Sequence, residues 1–402
     1  MNTESRPFSN LLEECTRTAR PFLAGAYQNI HEKHITIKEI SHLEEILLSW
    51  NHIESATIQD LPNLVKLDLS SCGLQRLHLK NLPKLAVLDL SGNSLHNLDL
   101  QDLPNLLEVD ASSNDVLEAL QLSNLPYLRS LDCSCNQLTA VRLEDLPRLQ
   151  NAGFSDNPIS KLSVKNVPLL KSLQLEGAQM LALSLSDLPR LEVLECRKGR
   201  LEKLTLKNLP SLFRLEASSN ALQSVLLENL PELRVLNLGA NNLSHVETRH
   251  VPNVQMLSLS NNPMEHFSSK QFPNVVELRI ESNRINHLTL TDMPLLSIVF
   301  ATKGQIQSLT MRNLPRFTQG RFHGNGITHI ECEDCPQLKS LDLICNFLTN
   351  LDFVRDIPSL EHIWLVGNPH IPIPKEALTE NGTTWRNCIG EVREYLAERQ
   401  DL

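Results

Sequence analysis

Apolar positions along this chain recur in one frame. An apolar residue followed by proline stands at Leu61-Pro62, Leu82-Pro83, Leu103-Pro104, Leu125-Pro126, Leu146-Pro147, Val167-Pro168, Leu188-Pro189, Leu209-Pro210, Leu230-Pro231, Val251-Pro252, Phe272-Pro273, Met293-Pro294, Leu314-Pro315, Cys335-Pro336 and Ile357-Pro358. The step is 21 residues, twice 22, and an earlier segment from Ile40-Ser41 keeps the frame without the proline, making sixteen units over residues 40–372. Within residues 82–102 the apolar positions are Leu85, Leu88, Leu90, Leu95, Leu98 and Leu100, with Asn93 between the third and fourth. The Leu88-x-Leu90 core predicts a short strand with both leucines inward and the residue between them outward. Stacked copies then form a parallel sheet at about 4.8 Å per step. Asn turns the chain inward, where its amide satisfies backbone groups that the bend would orphan. The second half of the unit is expected to return along the outer side in extended form, and proline, which suits extended geometry and cannot start a helix, opens the next unit.

The ends of such a stack need covers, because a terminal unit exposes its leucines and an open sheet edge. In residues 1–39, Phe8, Leu11, Leu12, Cys15, Phe22 and Leu23 around Pro21 predict helical segments forming an N-terminal cap. In residues 373–402, Trp385, Ile389, Val392, Tyr395 and Leu396 fall at helical spacing and predict a C-terminal cap. A core that lengthens without thickening also removes the usual inference from 402 residues to several domains.

The frame LxxLxLxxNxL resembles the leucine-rich-repeat family over about four fifths of the chain. That resemblance implies an α/β repeat: a right-handed solenoid with a parallel β-sheet on the concave face, a mostly extended or irregular convex side, and helical caps. Sixteen steps make an arc on the order of 75 Å, room for a standard protein interface several times over. A second resemblance lies in the tail. Gly367-Asn368-Pro369, Ile373-Pro374-Lys375-Glu376 and Val392-Arg393-Glu394-Tyr395-Leu396 are similar to the junction that follows the repeats in Roco proteins, where a GTPase domain comes next. The sequence contains no GxxxxGK[ST] loop, so GTPase activity does not carry over.

A net charge of -10 argues against general affinity for nucleic acid or anionic membrane and favours a protein partner with a basic surface. No window reaches the roughly 18 apolar residues of a transmembrane helix, and the N-terminal residues lack the apolar run of a signal peptide. The nine cysteines, an odd number scattered from Cys15 to Cys388, are read as reduced. The expected location is therefore a cytoplasm, of the protein's own cell or of a host cell reached by non-classical secretion.

The outward strand positions map the candidate partner surface: Leu47, Asp68, Asp89, Asp110, Asp132, Gly153, Gln174, Glu195, Glu216, Asn237, Ser258, Arg279, Phe300, Arg321, Asp342 and Trp364. Four consecutive aspartates, Asp68, Asp89, Asp110 and Asp132, stack at roughly 5 Å and repel one another unless water, salt or a partner's cations intervene. They are either solvated consensus residues or a docking stripe for basic side chains. A second candidate breaks the consensus: Ile298, Phe300, Arg321, His323, His362 and Trp364 form a mixed apolar and basic cluster of the residue types that dominate interfaces. It is either a binding patch or the degeneracy of units near the end of the array.

His245, His266, His287 and His329 share one position on the return segment, three of them in successive units, which suggests a column of surface rings more than a metal-binding or pH-sensing site. Cys332 and Cys335 form a CxxC but align with the inward Leu79 and Leu82, so they read as buried apolar substitutes, and no metal or cofactor is expected. No nucleophile elbow, HExxH, phosphate loop or paired-acid motif occurs. The expectation is a non-enzymatic protein-interaction module or scaffold. The alternatives use the same surface: a host-targeted bacterial effector, or a regulatory or sensor subunit resembling the phosphatase-regulating or Roco repeat proteins.

Overall fold

The computed structural model describes residues 7–371, 373, 379–380, 384–385 and 387–399. It is a parallel-strand solenoid divided into two compact units, Met1–Leu181 with Asp187–Arg200, and Ala182–Ser186 with Leu201–Leu402. In the first unit, three-residue front strands run from Phe22–Ala24 and Glu45–Leu47 through Lys66–Asp68, Val87–Asp89, Glu108–Asp110 and Ser130–Asp132 to Val193–Glu195. Each pairs parallel and in register with its neighbours, so Leu67 lies beside Leu88 and Leu88 beside Val109. The second unit repeats the arrangement from Arg214–Glu216 to His362–Trp364. The central residue of every strand points into the core, where Leu67, Leu88, Leu131, Leu215, Leu278 and Leu341 are buried.

Two backbone devices bend each turn. In most turns the residue two before the proline adopts the left-handed conformation, as at Asp60, Asn81, Asp102, Asn124 and Asp145, with φ between 53° and 56°. Asp and Asn tolerate that region better than other side chains. The next residue precedes proline and is therefore held extended. Proline itself occupies the second position of a tight turn, closed in one unit by the Leu85 N–H donating to the Leu82 carbonyl at 3.2 Å. This corrects the expectation that proline marks extended chain: its fixed φ suits the turn equally well.

Asn93 shows what the repeated Asn does. Its Nδ2 donates to the carbonyls of Leu69 (2.8 Å) and Leu90 (2.9 Å), and its Oδ1 accepts from the N–H of Cys72 (3.0 Å) and Leu74 (2.9 Å). One buried amide thus stitches two successive turns and satisfies groups that have no water to turn to.

The return side is more regular than the irregular, merely extended chain expected. Five-residue strands pair parallel in the first unit, as His34–Lys38, Ser55–Gln59 and Arg76–Lys80 do. In the second unit Lys203–Lys207 lies between Ala182–Ser186 and Ser224–Glu228, and Ser308–Arg312 between His287–Thr291 and His329–Glu333. A nearly constant repeat length brings each return segment back at one strand spacing from the last, so the N–H and C=O rows face each other and pair. Short 3-10 segments, Ser269–Gln271 and Asp352–Asp356, replace the strand in two turns.

At the N-terminal side a helix, Phe8–Thr18, buries Phe8 and Cys15. Phe22 and Leu23, expected within the helical segments, instead form the first front strand, because the chain leaves the helix at the left-handed Ala19 and pairs with Glu45–Leu47. At the other side a helix spans Ile389–Glu398. Trp385, expected on it, lies before it in a short strand, Thr384–Trp385, paired antiparallel with Thr379–Glu380. Asn387 and Cys388 tie the start of the helix to the sheet edge: Asn387 Oδ1 accepts from the Ile363 N–H at 2.9 Å, and the Cys388 N–H donates to the Ile363 carbonyl at 3.1 Å. Of the Roco-like run, Pro374, Lys375 and Glu376 lie outside the described residues. Among the described residues, no helix is long and apolar enough to cross a membrane.

Candidate functional site

Because the pleat alternates, burying the central residue of each front strand forces the residue after it onto the outer surface. In the first unit the register places Asp68 beside Asp89, Asp89 beside Asp110, and Asp110 beside Asp132, one continuous column. Each carboxylate is also tied locally. Oδ1 of Asp68 accepts from the Ser70 N–H (3.0 Å) and Oγ–H (2.7 Å), and Asp89 with Ser91 and Asp110 with Ser112 repeat both contacts. Asp132 accepts from the Ser134 N–H at 2.9 Å. These donors hold the side chains in one orientation and offset part of the repulsion between neighbouring charges. The signal was legible, since serine stands two residues after each of the four aspartates, but the sequence reading passed over it. After Asp132 the column meets Gly153, where a Cβ would sit 2.9 Å from Asp132 Oδ1.

In the second unit the outer column begins with Glu216, which is buried. Its carboxylate meets Arg214 at 3.0 Å and accepts from Asn237 Nδ2 at 2.8 Å. A depression of about 340 Å³ follows, lined by Glu216, Asn237, Met256, Ser258, Glu277 and Arg279.

Beyond it the register runs from Arg279 through Phe300, Arg321 and Asp342 to Trp364. The Phe300 ring lies between two guanidinium groups, Arg279 at 4.3 Å and Arg321 at 5.1 Å from its centroid, both within cation–π range. Arg279 is anchored by Glu277 at 2.6 Å. His323 Nδ1 pairs with Asp342 Oδ2 at 2.8 Å, and His362 stacks on Trp364 with ring centroids 5.9 Å apart. Ile298 and Phe300 alternate on the same strand with buried Val299 between them, so they share the outer face.

The six patch residues named from sequence therefore fall on neighbouring outward rows. The partition within them was not foreseen: Phe300 and Arg321 form one cluster with Arg279, and His362 and Trp364 another, with the His323–Asp342 pair between. Arg279, although on the outward map, was not singled out.

Sequence reasoning also missed Tyr27 and Trp50. Their rings stack at 5.6 Å and 10°, both are exposed, and both occupy the left-handed region at φ 57° and 58°. Later turns put Ser71, Gly92 and Ser113 in that conformation, residues that suffer less there.

His245, His266 and His287 belong to successive units; between His287 and His329 the position is Ser308, which bonds His287 Nδ1 at 2.7 Å. Among the described residues no group of three or more His, Cys, Asp or Glu is placed to hold a metal ion. Cys332 and Cys335 are buried; contact with Cys335, with burial second, raises the Cys332 thiol above its ordinary range.

No family model matches the sequence, and no curated protein does. Solved structures do. The chain is similar to YopM, a leucine-rich effector protein of Yersinia pestis, at 23% identity and TM-score 0.58, covering 89% of this chain and 92% of that one. It is similar to a leucine-rich-repeat protein of Leptospira interrogans at 18% identity and TM-score 0.50, covering 93% and 96%. It is also similar to the functional domain of InlJ from Listeria monocytogenes at 19% identity and TM-score 0.50, covering 69% and 67%.

Proposed function

We propose that this chain, which has the leucine-rich-repeat solenoid fold, is a non-enzymatic protein-interaction module that captures a protein partner on its front-strand face. The observation that carries this reading is where the repeat varies. The central, inward strand position stays apolar in every unit but that of Gly320, while the outward column of the second unit departs from consensus to an aligned Arg279, Phe300, Arg321 and Trp364. Aromatic and Arg side chains held on a paired sheet lose little conformational freedom on binding, and such residues dominate interface energetics. The aspartate column of the first unit adds a docking stripe for the basic side chains of a partner. Its free oxygens are held in a row by the serines behind them, which favours charge steering.

The structural similarity to a leucine-rich effector protein over most of both chains supports action as an effector inside a host cell. The same surface would serve a regulatory subunit in the cytoplasm of the protein's own cell. Triple replacement of Phe300, Arg321 and Trp364 by Ala is expected to abolish partner capture in a pull-down while the thermal transition stays close to that of the parent chain. Unchanged capture sinks the reading.

A further inference from the structure

The second unit's outward column holds a charge of the opposite sign to the aspartate stripe, and its local bonding leaves that charge open. Arg321 is exposed and forms no ion pair among the described residues. The carboxylate nearest in register is Asp342, but His323 takes its Oδ2 at 2.8 Å and the Ile344 N–H donates to its Oδ1 at 3.2 Å. On the other side Phe300 supports the guanidinium at 5.1 Å without neutralising it. Arg279, pinned by Glu277, closes the far face of the same ring. The Gln319 side-chain oxygen accepts from Arg321 Nε at 3.1 Å and Nη2 at 3.3 Å, which orders the guanidinium without neutralising it, on a chain of net charge -10. Beside it stand apolar side chains, Ile298 and Phe300, with Met256 48% exposed two strands from Phe300.

We infer that the Arg279–Phe300–Arg321 stack receives an acidic, extended segment of the partner protein, a carboxylate seated on the Arg321 fork and apolar side chains laid on Phe300 and Ile298. The inference rests on the proposed capture of a protein on this face and adds the partner's chemistry. With its Nε–Nη2 edge on Gln319, the guanidinium presents its Nη1–Nη2 edge, which matches a carboxylate in two parallel hydrogen bonds, and the ring fixes its plane beforehand. An extended segment offers side chains to one side at every second residue, which suits alternating acidic and apolar contacts. A polyanion such as nucleic acid is disfavoured, because Glu277 on Arg279 and Asp342 beside Arg321 flank the stack and a phosphate backbone requires many cations to replace its counterions.

Fluorescence anisotropy with the full chain tests this, using a labelled peptide that alternates Glu with Val, its counterpart with Lys for Glu, and a labelled single-stranded oligonucleotide. The acidic peptide is expected to bind, and Arg321→Gln to weaken it by about tenfold or more. Arg321→Lys, which keeps the charge and loses the fork, should fall between. Phe300→Ala, which keeps the charge and removes its platform, should weaken binding several-fold, with circular dichroism melts confirming that each variant folds. Equal affinity of the parent chain and Arg321→Gln for the acidic peptide overturns the inference, as does tighter binding of the oligonucleotide. If the triple Ala variant loses its partner in the pull-down while Arg321→Gln leaves the acidic peptide untouched, only the acidic chemistry falls. If the triple variant still captures the partner, the broader reading falls as well.

Discussion

The Cys72 thiol donates to the carbonyl oxygen of Leu48 over 3.1 Å. One turn later the Asn93 amide makes the equivalent contact to Leu69 at 2.8 Å, so a cysteine stands in the Asn position and performs half its work. Cys72→Asn is therefore expected to stabilise the chain. Cys72→Ala should cost about 1 kcal/mol, measured by urea unfolding, because the Leu48 carbonyl loses the thiol but keeps the Asn51 amide at 2.7 Å. The pH dependence follows from the same burial, which pushes the thiol from 9.0 up to about 11. A raised folded value means that folding favours the protonated thiol, so its contribution is complete below pH 9 and is lost as the pH climbs through 11. The stability difference between Cys72→Asn and the parent chain should widen over that window; a constant difference would contradict the assignment.

The aspartate column separates structure from recognition. Asn at positions 68, 89, 110 and 132 keeps an oxygen that can accept from the following serine, so the quadruple variant should melt near the parent temperature or slightly above it as repulsion is relieved. Binding of a basic partner should weaken chiefly at low salt. The same loss at every ionic strength, or none, would return these residues to a purely local role in the turn.

Gly320 occupies the inward position that leucine fills in Lys66–Asp68 and Val87–Asp89, and restoring the consensus there should be harmful. A Cβ at 320 would lie 3.0 Å from the Leu341 side chain and closer still to the Phe322 ring, with Phe317 at 3.2 Å. The two phenylalanines already fill the volume. Gly320→Leu is expected to destabilise by about 1–3 kcal/mol or more, read as a lowered unfolding midpoint. A neutral result would show that the rings can swing aside.

Asn157 donates to the carbonyls of Cys133 (2.9 Å) and Phe154 (3.1 Å) and accepts from the Leu138 N–H at 2.9 Å. Asn157→Ala orphans the Phe154 carbonyl and the Leu138 N–H, while the Cys133 carbonyl keeps the Asn136 amide at 2.9 Å, for a loss of roughly 2–4 kcal/mol. Asn157→Cys should recover part of it, as Cys72 does naturally. Equal stability of the Ala and Cys variants would rule out the thiol as a substitute donor.

Periodicity alone made the solenoid legible, because only one stacking hides the leucines that recur in the LxxLxLxxNxL frame of each unit while pairing the front strands. It also put Asp68 to Asp132 in one file, and Phe300 next to Arg321, since a fixed repeat length leaves no freedom in register. Three things were hidden. The paired return strands and the proline turn depend on where backbone groups land after a full coil, a distance between residues 21 apart rather than a property of either. The strand at Phe22–Ala24 looked helical because its neighbour in space, Glu45–Leu47, is remote in the chain. Partner choice among polar groups was likewise out of reach: residue types place Arg321, Asp342 and His323 together, but only packed geometry decides that the histidine takes the carboxylate while the guanidinium is held by the neutral Gln319 amide. Hydrophobic burial is additive along a repeat and can be read from a string. Competition between several donors for one acceptor is settled over tenths of an ångström, which the string does not contain.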